Sequence, residues 1–214
     1  MKLPSDAPVL VVAAHTDDAE LGCGGTIARA VEEGSQVHVA VFSTVEESVP
    51  AGASPTLLRD EFFAAMDVLG IPEERLTVEA FPVRHLSSHR QEILDVLIRL
   101  GRSIQPGMVF SAASTDVHQD HQVVHAECLR AFKDRTFFGY EAPWNHVTFT
   151  ANAFVALEER HVEAKWSALQ AYRSQFELER PYFSRDFIWG LAKVRGVQVK
   201  APYAEAFEAI RVRI

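Results

Sequence analysis

The chain has 214 residues, 48% hydrophobic and 23% charged, with 11 Gly and 10 Pro, a balance that fits one folded domain of residues 1–214 and excludes disordered and fibrous chains. Its 21 Lys and Arg stand against 29 Asp and Glu, and the net charge of −8 offers no general basic field for nucleic acid or an anionic membrane. The two cysteines, Cys23 and Cys128, form no CxxC pair, which excludes a disulfide framework or zinc ribbon and fits a reducing compartment.

Lys2, Asp6 and Pro8 precede an apolar run of six residues, Val9 to Ala14, which is too short for a secretory leader. No stretch approaches the length of a membrane span, so no integral membrane segment and a cytoplasmic location are expected. The same run is continuously apolar rather than alternating, as in a strand buried on both faces of a parallel sheet. Glu20 to Glu33 has near-helical apolar spacing and stops at Gly34, and Val37 to Phe42 is a second strand. Leu57 to Leu69 is an amphipathic helix closed by Gly70 and Pro72, and Leu76 to Phe81 a short strand. A helix around Ile93 to Leu100, a strand at Met108 to Ala112, a helix at His121 to Phe132 and a strand at Phe137 to Tyr140 continue the alternation. The pattern predicts a three-layer, doubly wound α/β fold, Rossmann-like with a mostly parallel sheet. After Pro143 it loosens into a strand within Phe149 to Leu157, a long helix from Glu159 to Phe176, and a mixed β segment from Phe187 to Val199 around Gly190 and Gly196. Residues 1–143 are read as the α/β core and 144–214 as a C-terminal elaboration, whose apolar content would cover the core or form a homo-oligomer interface.

Nine histidines are present, and those nearest acids fall at strand ends. His15-Thr16-Asp17-Asp18 closes the first strand, and Asp116-Val117-His118-Gln119-Asp120-His121 follows the strand ending near Ser111. Ligands of open α/β sheets bind at that carboxyl edge. Taken singly, such residues are often only helix caps. Taken together, a sheet burying both strands brings His15, Asp18 and His121 into one place. Two imidazoles and a carboxylate with an open fourth position make a catalytic zinc arrangement, one ion per chain, with another divalent transition metal as the alternative. Asp17 stays unligated beside it. A dinucleotide fingerprint starting at Gly22 fails because Ile27 stands where its third glycine belongs.

The segment Ala14-His15-Thr16-Asp17-Asp18-Ala19-Glu20-Leu21-Gly22-Cys23-Gly24-Gly25-Thr26 resembles the signature of the LmbE-like, or PIG-L, zinc-dependent N-deacetylases, and His118-Gln119-Asp120-His121 resembles their HxDH motif. Weaker matches are Arg59-Asp60-Glu61, Lys165 with Ser174-Gln175, and Tyr203 to Phe207. The resemblance implies removal of acetyl from an N-acetylglucosamine-type conjugate, a small molecule, with His15, Asp18 and His121 on zinc and Asp17 as general base. It further implies that a protonated His118 faces the substrate carbonyl and that Asp120 orients His118. Two departures are visible: Thr16 replaces the usual Pro, and Asp116 stands where some members carry Tyr. Tyr140, Trp144 and Asn145, with Glu141, are candidate sugar contacts, Asp116 a substrate-side position, and Arg59 a partner for an anionic substrate group. A non-catalytic metal-dependent sugar or nucleotide-sugar binding protein is the alternative reading. A metal phosphohydrolase is disfavoured because no carboxylate set for a second metal is present.

Overall fold

The computed structural model describes residues 7–44 and 54–213; Lys2 and Asp6, used above against a leader, lie outside them. The described strands form one seven-stranded sheet in the order β3-β2-β1-β4-β5-β7-β6. These are β1 (Val9–Ala13), β2 (Val37–Val41), β3 (Leu76–Val78), β4 (Met108–Ala112), β5 (Thr136–Tyr140), β6 (Ala153–Leu157) and β7 (Tyr203–Arg211). The first five run parallel, β7 is antiparallel to β5, and β6 is antiparallel to β7. The chain winds outward from β1 through β2 to β3, then crosses back to β4 on the other side of β1. The order therefore reverses between β1 and β4, and the loops leaving those two strands part to leave a crevice.

Alternate residues of each buried strand serve two cores. Val9, Val11 and Ala13 face one layer, built from α1 (Asp18–Glu32), α2 (Leu57–Val68), α5 (Glu159–Leu169) and α7 (Arg185–Gln198). Leu10 and Val12 face the other, built from α3 (Arg90–Ile104) and α4 (Gln119–Ala131). The sheet's outer strands β6 and β7, late in the chain, thus extend the same sheet rather than starting another.

Two C-terminal expectations change. The long helix breaks into α5 and a single turn, α6 (Arg173–Phe176). At the break, Tyr172 leaves helical geometry, with ψ near 65°, and its hydroxyl reaches the Thr16 carbonyl at 2.5 Å and Glu20 Oε1 at 2.7 Å. Burial pushes the Glu20 carboxyl up to about 8, against the pull of the Tyr172 hydroxyl. The expected β segment Phe187 to Val199 is instead α7. Ser184 caps it through Oγ to the Phe187 N–H, and Ile188, Ala192 and Gly196 are buried at successive i, i+4 positions.

Helix α1 also departs from a regular helix, with a kink at Cys23 (φ −148°, ψ 25°). In an unbroken helix the Gly25 N–H would bond the Leu21 carbonyl. Here Gly25 N–H donates to Glu205 Oε1 at 3.0 Å and Thr26 N–H to Glu205 Oε2 at 2.6 Å, while Lys165 Nζ bridges Glu205 Oε1 at 2.7 Å and the Leu21 carbonyl at 2.8 Å. A buried ion pair is inserted at the kink: Glu205 accepts the Gly25 and Thr26 N–H groups, and Lys165 donates to the Leu21 carbonyl that Gly25 would otherwise meet.

Candidate metal and active site

His15 leaves the end of β1, and its backbone N–H donates to Asp18 Oδ2 at 2.8 Å, folding the turn so that both side chains face the crevice. His121 reaches the same point from the first turn of α4. His15 Nδ1, His121 Nε2 and Asp18 Oδ2 stand 3.2, 3.3 and 3.2 Å apart in a near-equilateral triangle. Tetrahedral ligands held ~2.0–2.1 Å from a zinc ion are ~3.3–3.4 Å from each other. The donor set therefore fits one face of such a shell, with two imidazole nitrogens and one carboxylate oxygen aimed inward. Among the described residues the imidazoles of His15, His118 and His121 offer nitrogens within 4.8 Å of one another, so His118 borders the same point.

Each inward-facing imidazole is held from behind by a carboxylate. His15 Nε2–H donates to Asp120 Oδ2 at 3.1 Å, and His121 Nδ1–H donates to Asp116 Oδ2 at 2.7 Å. Once the inner proton is given up to a metal, these bonds hold the remaining proton on the outer nitrogen and leave the inner one as a lone-pair donor. Asp120 thus orients His15 rather than His118. It is itself fixed by the N–H groups of Arg84 at 2.6 Å and Leu86 at 3.3 Å. Asp116 is almost wholly buried behind His121 and does not face a substrate.

The electrostatics agree with a cation site. Burial pulls the His15 and His121 imidazoles down, but Asp18 and the carboxylates behind them outweigh it and lift these groups to about 9 and about 10. Burial likewise opposes the Asp18 anion, and the two histidines overcome it, holding the carboxyl well below its usual range. Acidic charge has converged where protons or a metal must balance it.

Asp17 precedes α1, yet its side chain makes no cap bond, which leaves the carboxylate to the cavity. Burial and the Asp18 charge push it up to about 6, against the pull of His15 and Arg180. His118 does act as a cap: its Nδ1 accepts the Asp120 N–H at 3.2 Å, so its remaining proton sits on Nε2. Burial and the neighbouring imidazoles lower it to about 4.

The cavity over the triangle measures about 200 Å³. Trp144 and Asn145 line it, as anticipated, but Trp144 is stacked on Tyr182 at 4.1 Å and 12°, so one of its faces is taken. Three other expected contacts are elsewhere. Tyr140 is a core side chain whose hydroxyl meets the Val12 carbonyl at 3.4 Å. Glu141 is paired with Arg195. Arg59 is exposed on α2, 5.5 Å from the Phe63 ring centroid, and is not among the lining residues. His125 places its Nδ1 2.7 Å from the Ala112 carbonyl oxygen and is not among the residues lining the cavity. The lining also includes Arg84, Gln175, Leu178, Arg180 and Tyr182. Gln175 is brought there by Glu61, which accepts both the N–H and Oγ–H of Ser174. Arg180-Pro181-Tyr182, a proline-marked break before α7, was the available signal for the others.

Comparison with known proteins identifies relatives of the whole chain. The chain is 26% identical over 171 residues to "Uncharacterized deacetylase YaiS" of Escherichia coli K12, covering 78% of this chain and 90% of that one. The crystal structure of the conserved protein TT1542 from Thermus thermophilus superposes with a TM-score of 0.82 at 25% identity, covering 97% and 96% of the two chains. The N,N'-diacetylchitobiose deacetylase of Pyrococcus horikoshii shares the fold with a TM-score of 0.78 at 20% identity, covering 95% of this chain and 84% of that one. Residues 10–132, more than half of the chain and inclusive of both His–Asp clusters, match the model of the PIG-L family, GlcNAc-PI de-N-acetylase, and the chain belongs to that family.

Proposed function

We propose that this chain is a metal-dependent amidohydrolase that removes acetyl from an N-acetylated amino-sugar conjugate, releasing acetate and a free amine. The observation that carries the reading is the triangle of His15, Asp18 and His121, with one carboxylate behind each imidazole. These three residues would hold Zn²⁺ or another divalent transition metal. Such an ion supplies Lewis-acid chemistry, lowering the pKa of a water to about 7 and polarising an amide carbonyl. Asp17, poised near neutrality, accepts the proton of the attacking water and returns it to the nitrogen as the C–N bond breaks, so the amine leaves neutral. His118 Nε2–H donates to the oxygen on which negative charge develops. Family membership and the names of its relatives support the acetyl and amino-sugar assignments. The buried free cysteines, Cys23 and Cys128, suit a reducing, cytoplasmic setting. Among the described residues no helix is long and apolar enough to cross a membrane.

The test is metal content together with acetate release from N-acetylglucosamine derivatives. Asp17→Asn should keep its zinc and lose about 10²–10⁴-fold in kcat. Unchanged turnover in that variant sinks the base assignment. Zinc-dependent sugar binding without acetate release would instead identify a non-catalytic binding protein.

A further inference from the structure

Gln175 is a buried polar side chain on the cavity wall that the proposed chemistry does not use. It belongs to the single turn α6, and two buried anchors hold the chain just ahead of it. Tyr172 bonds the Thr16 carbonyl and the Glu20 carboxyl, which ties the turn to the loop carrying Asp17. Ser174 is clamped by Glu61 of α2, whose Oε1 accepts the Ser174 N–H at 2.9 Å and whose Oε2 accepts its Oγ–H at 2.6 Å. Gln175 is therefore presented to the cavity from a fixed backbone.

The same bonds decide which way its carboxamide points. Ser174 has one hydroxyl proton, and Glu61 takes it, so the Ser174 oxygen is left to accept. Gln175 meets that oxygen at 3.3 Å through Nε2–H, which turns Oε1 away from it. Among the described residues this is the one hydrogen bond of the Gln175 side chain, so Oε1 and the second N–H are left to the cavity. A relay of carboxylate, hydroxyl and carboxamide thus sets a neutral acceptor in the wall. A ring that enters and displaces solvent from Oε1 must bring a donor, or the acceptor is left unpaired. In the deacetylase reading the acetamide oxygen is met by His118 and its nitrogen by Asp17. The donors that remain on an N-acetylated sugar are its hydroxyls.

Resting on that reading, we infer that Gln175 is a specificity-determining residue whose Oε1 accepts a hydrogen bond from a hydroxyl of the sugar, and that Glu61, acting through Ser174, is a positioning residue that orients it. The wall thereby selects a hydroxylated ring over an acetamide of similar bulk that lacks a hydroxyl at that point.

The experiment uses full-length zinc-loaded protein, methyl N-acetylglucosaminide and three analogues of it, each lacking one of its free hydroxyls. Acetate release and calorimetric binding are measured for each. One analogue should fall about threefold to tenfold below the full sugar in kcat/KM, because it leaves Oε1 unpaired. Gln175→Ala should lose a similar factor on the full sugar and no longer distinguish that analogue from it. Glu61→Gln should lose severalfold on the full sugar and far less on that analogue, with zinc content unchanged; a merely structural Glu61 would lower both alike. Ser174→Ala removes the middle of the relay, should repeat the Glu61→Gln pattern, and stands in for that variant if it does not fold. Equal use of all the probes, or a penalty for the missing hydroxyl that survives in Gln175→Ala, overturns the inference. Binding that depends on Gln175 and on one hydroxyl, with no acetate released, sinks the deacetylase reading alone. Acetate released from every probe alike sinks this inference alone, and neither release nor Gln175-dependent binding sinks both.

Discussion

Asp17 and Asp18 are neighbours of one residue type in opposite states. Asp18 lies against two imidazoles and stays an anion, while Asp17, buried beside that anion, is pushed to about 6. One is suited to hold a cation and the other to pass a proton. Asp116 and Asp120 act at one remove, each polarising an imidazole. Asp116→Asn and Asp120→Asn should therefore each weaken zinc affinity about 10–100-fold with the fold intact, as measured by competition with a chromogenic chelator and by circular dichroism. Affinity equal to the parent's would reduce both residues to loop ties. The candidate ligands were legible in the sequence because His15, Asp18 and His121 sit at strand ends, which a doubly wound sheet must bring together. The partners of Asp120 and Asp116 were not, because the path of the loops between 82 and 86 and between 113 and 118 decides which imidazole each carboxylate meets. The capping habit of His118 hid in the same way, since cap and catalytic donor use opposite nitrogens of one ring.

At the scale of elements, α1 and its glycines frame the site. A Cβ on Gly22 would lie 2.3 Å from Tyr140 Cδ2, and that ring is fully buried with nowhere to turn. Gly22→Ala is expected to cost about 1–3 kcal/mol or more, read as a lower urea midpoint. It should also weaken zinc binding, because the turn that carries Asp18 must shift. An unchanged midpoint would mean that α1 slides freely over β5. The alternation of strands and helices through residue 140 was readable because buried parallel strands are uniformly apolar and their helices are striped. Beyond it, the aromatic and β-branched residues of α7 imitate a strand, and Gly196 imitates a breaker. Its actual reason is space: a Cβ there would meet the Ala201 carbonyl oxygen at 2.8 Å and Tyr203 Cα at 2.8 Å. The break between α5 and α6 was unreadable for a related reason. Helical periodicity continues across it, and Tyr172 at the break bonds the distant Thr16 carbonyl and Glu20 carboxyl. The bond to Thr16 also ties down the turn where this chain carries Thr in place of the family's usual Pro.

For the whole molecule, the site joins the end of β1 and the start of α1 to the start of α4, more than a hundred residues later in the chain. A metal binding the native triangle and not the unfolded chain stabilises by about 2.7 kcal/mol at a hundredfold excess over Kd. Chelation should thus lower Tm by several degrees and zinc should restore it, as followed by calorimetry; a Tm indifferent to zinc would argue against the proposed ligand set. The ion pair lodged in α1 has a consequence in time. Glu205 is synthesised 180 residues after Gly25, whose N–H it accepts, and Lys165 arrives 144 residues after Leu21. On a ribosome, β1 and the sequence of α1 emerge early with their future hydrogen-bond partners still untranslated. The helix behind His15 and Asp18 gains the last of these partners only when β7 closes onto the sheet, so the nascent chain passes through most of its synthesis without the finished candidate site.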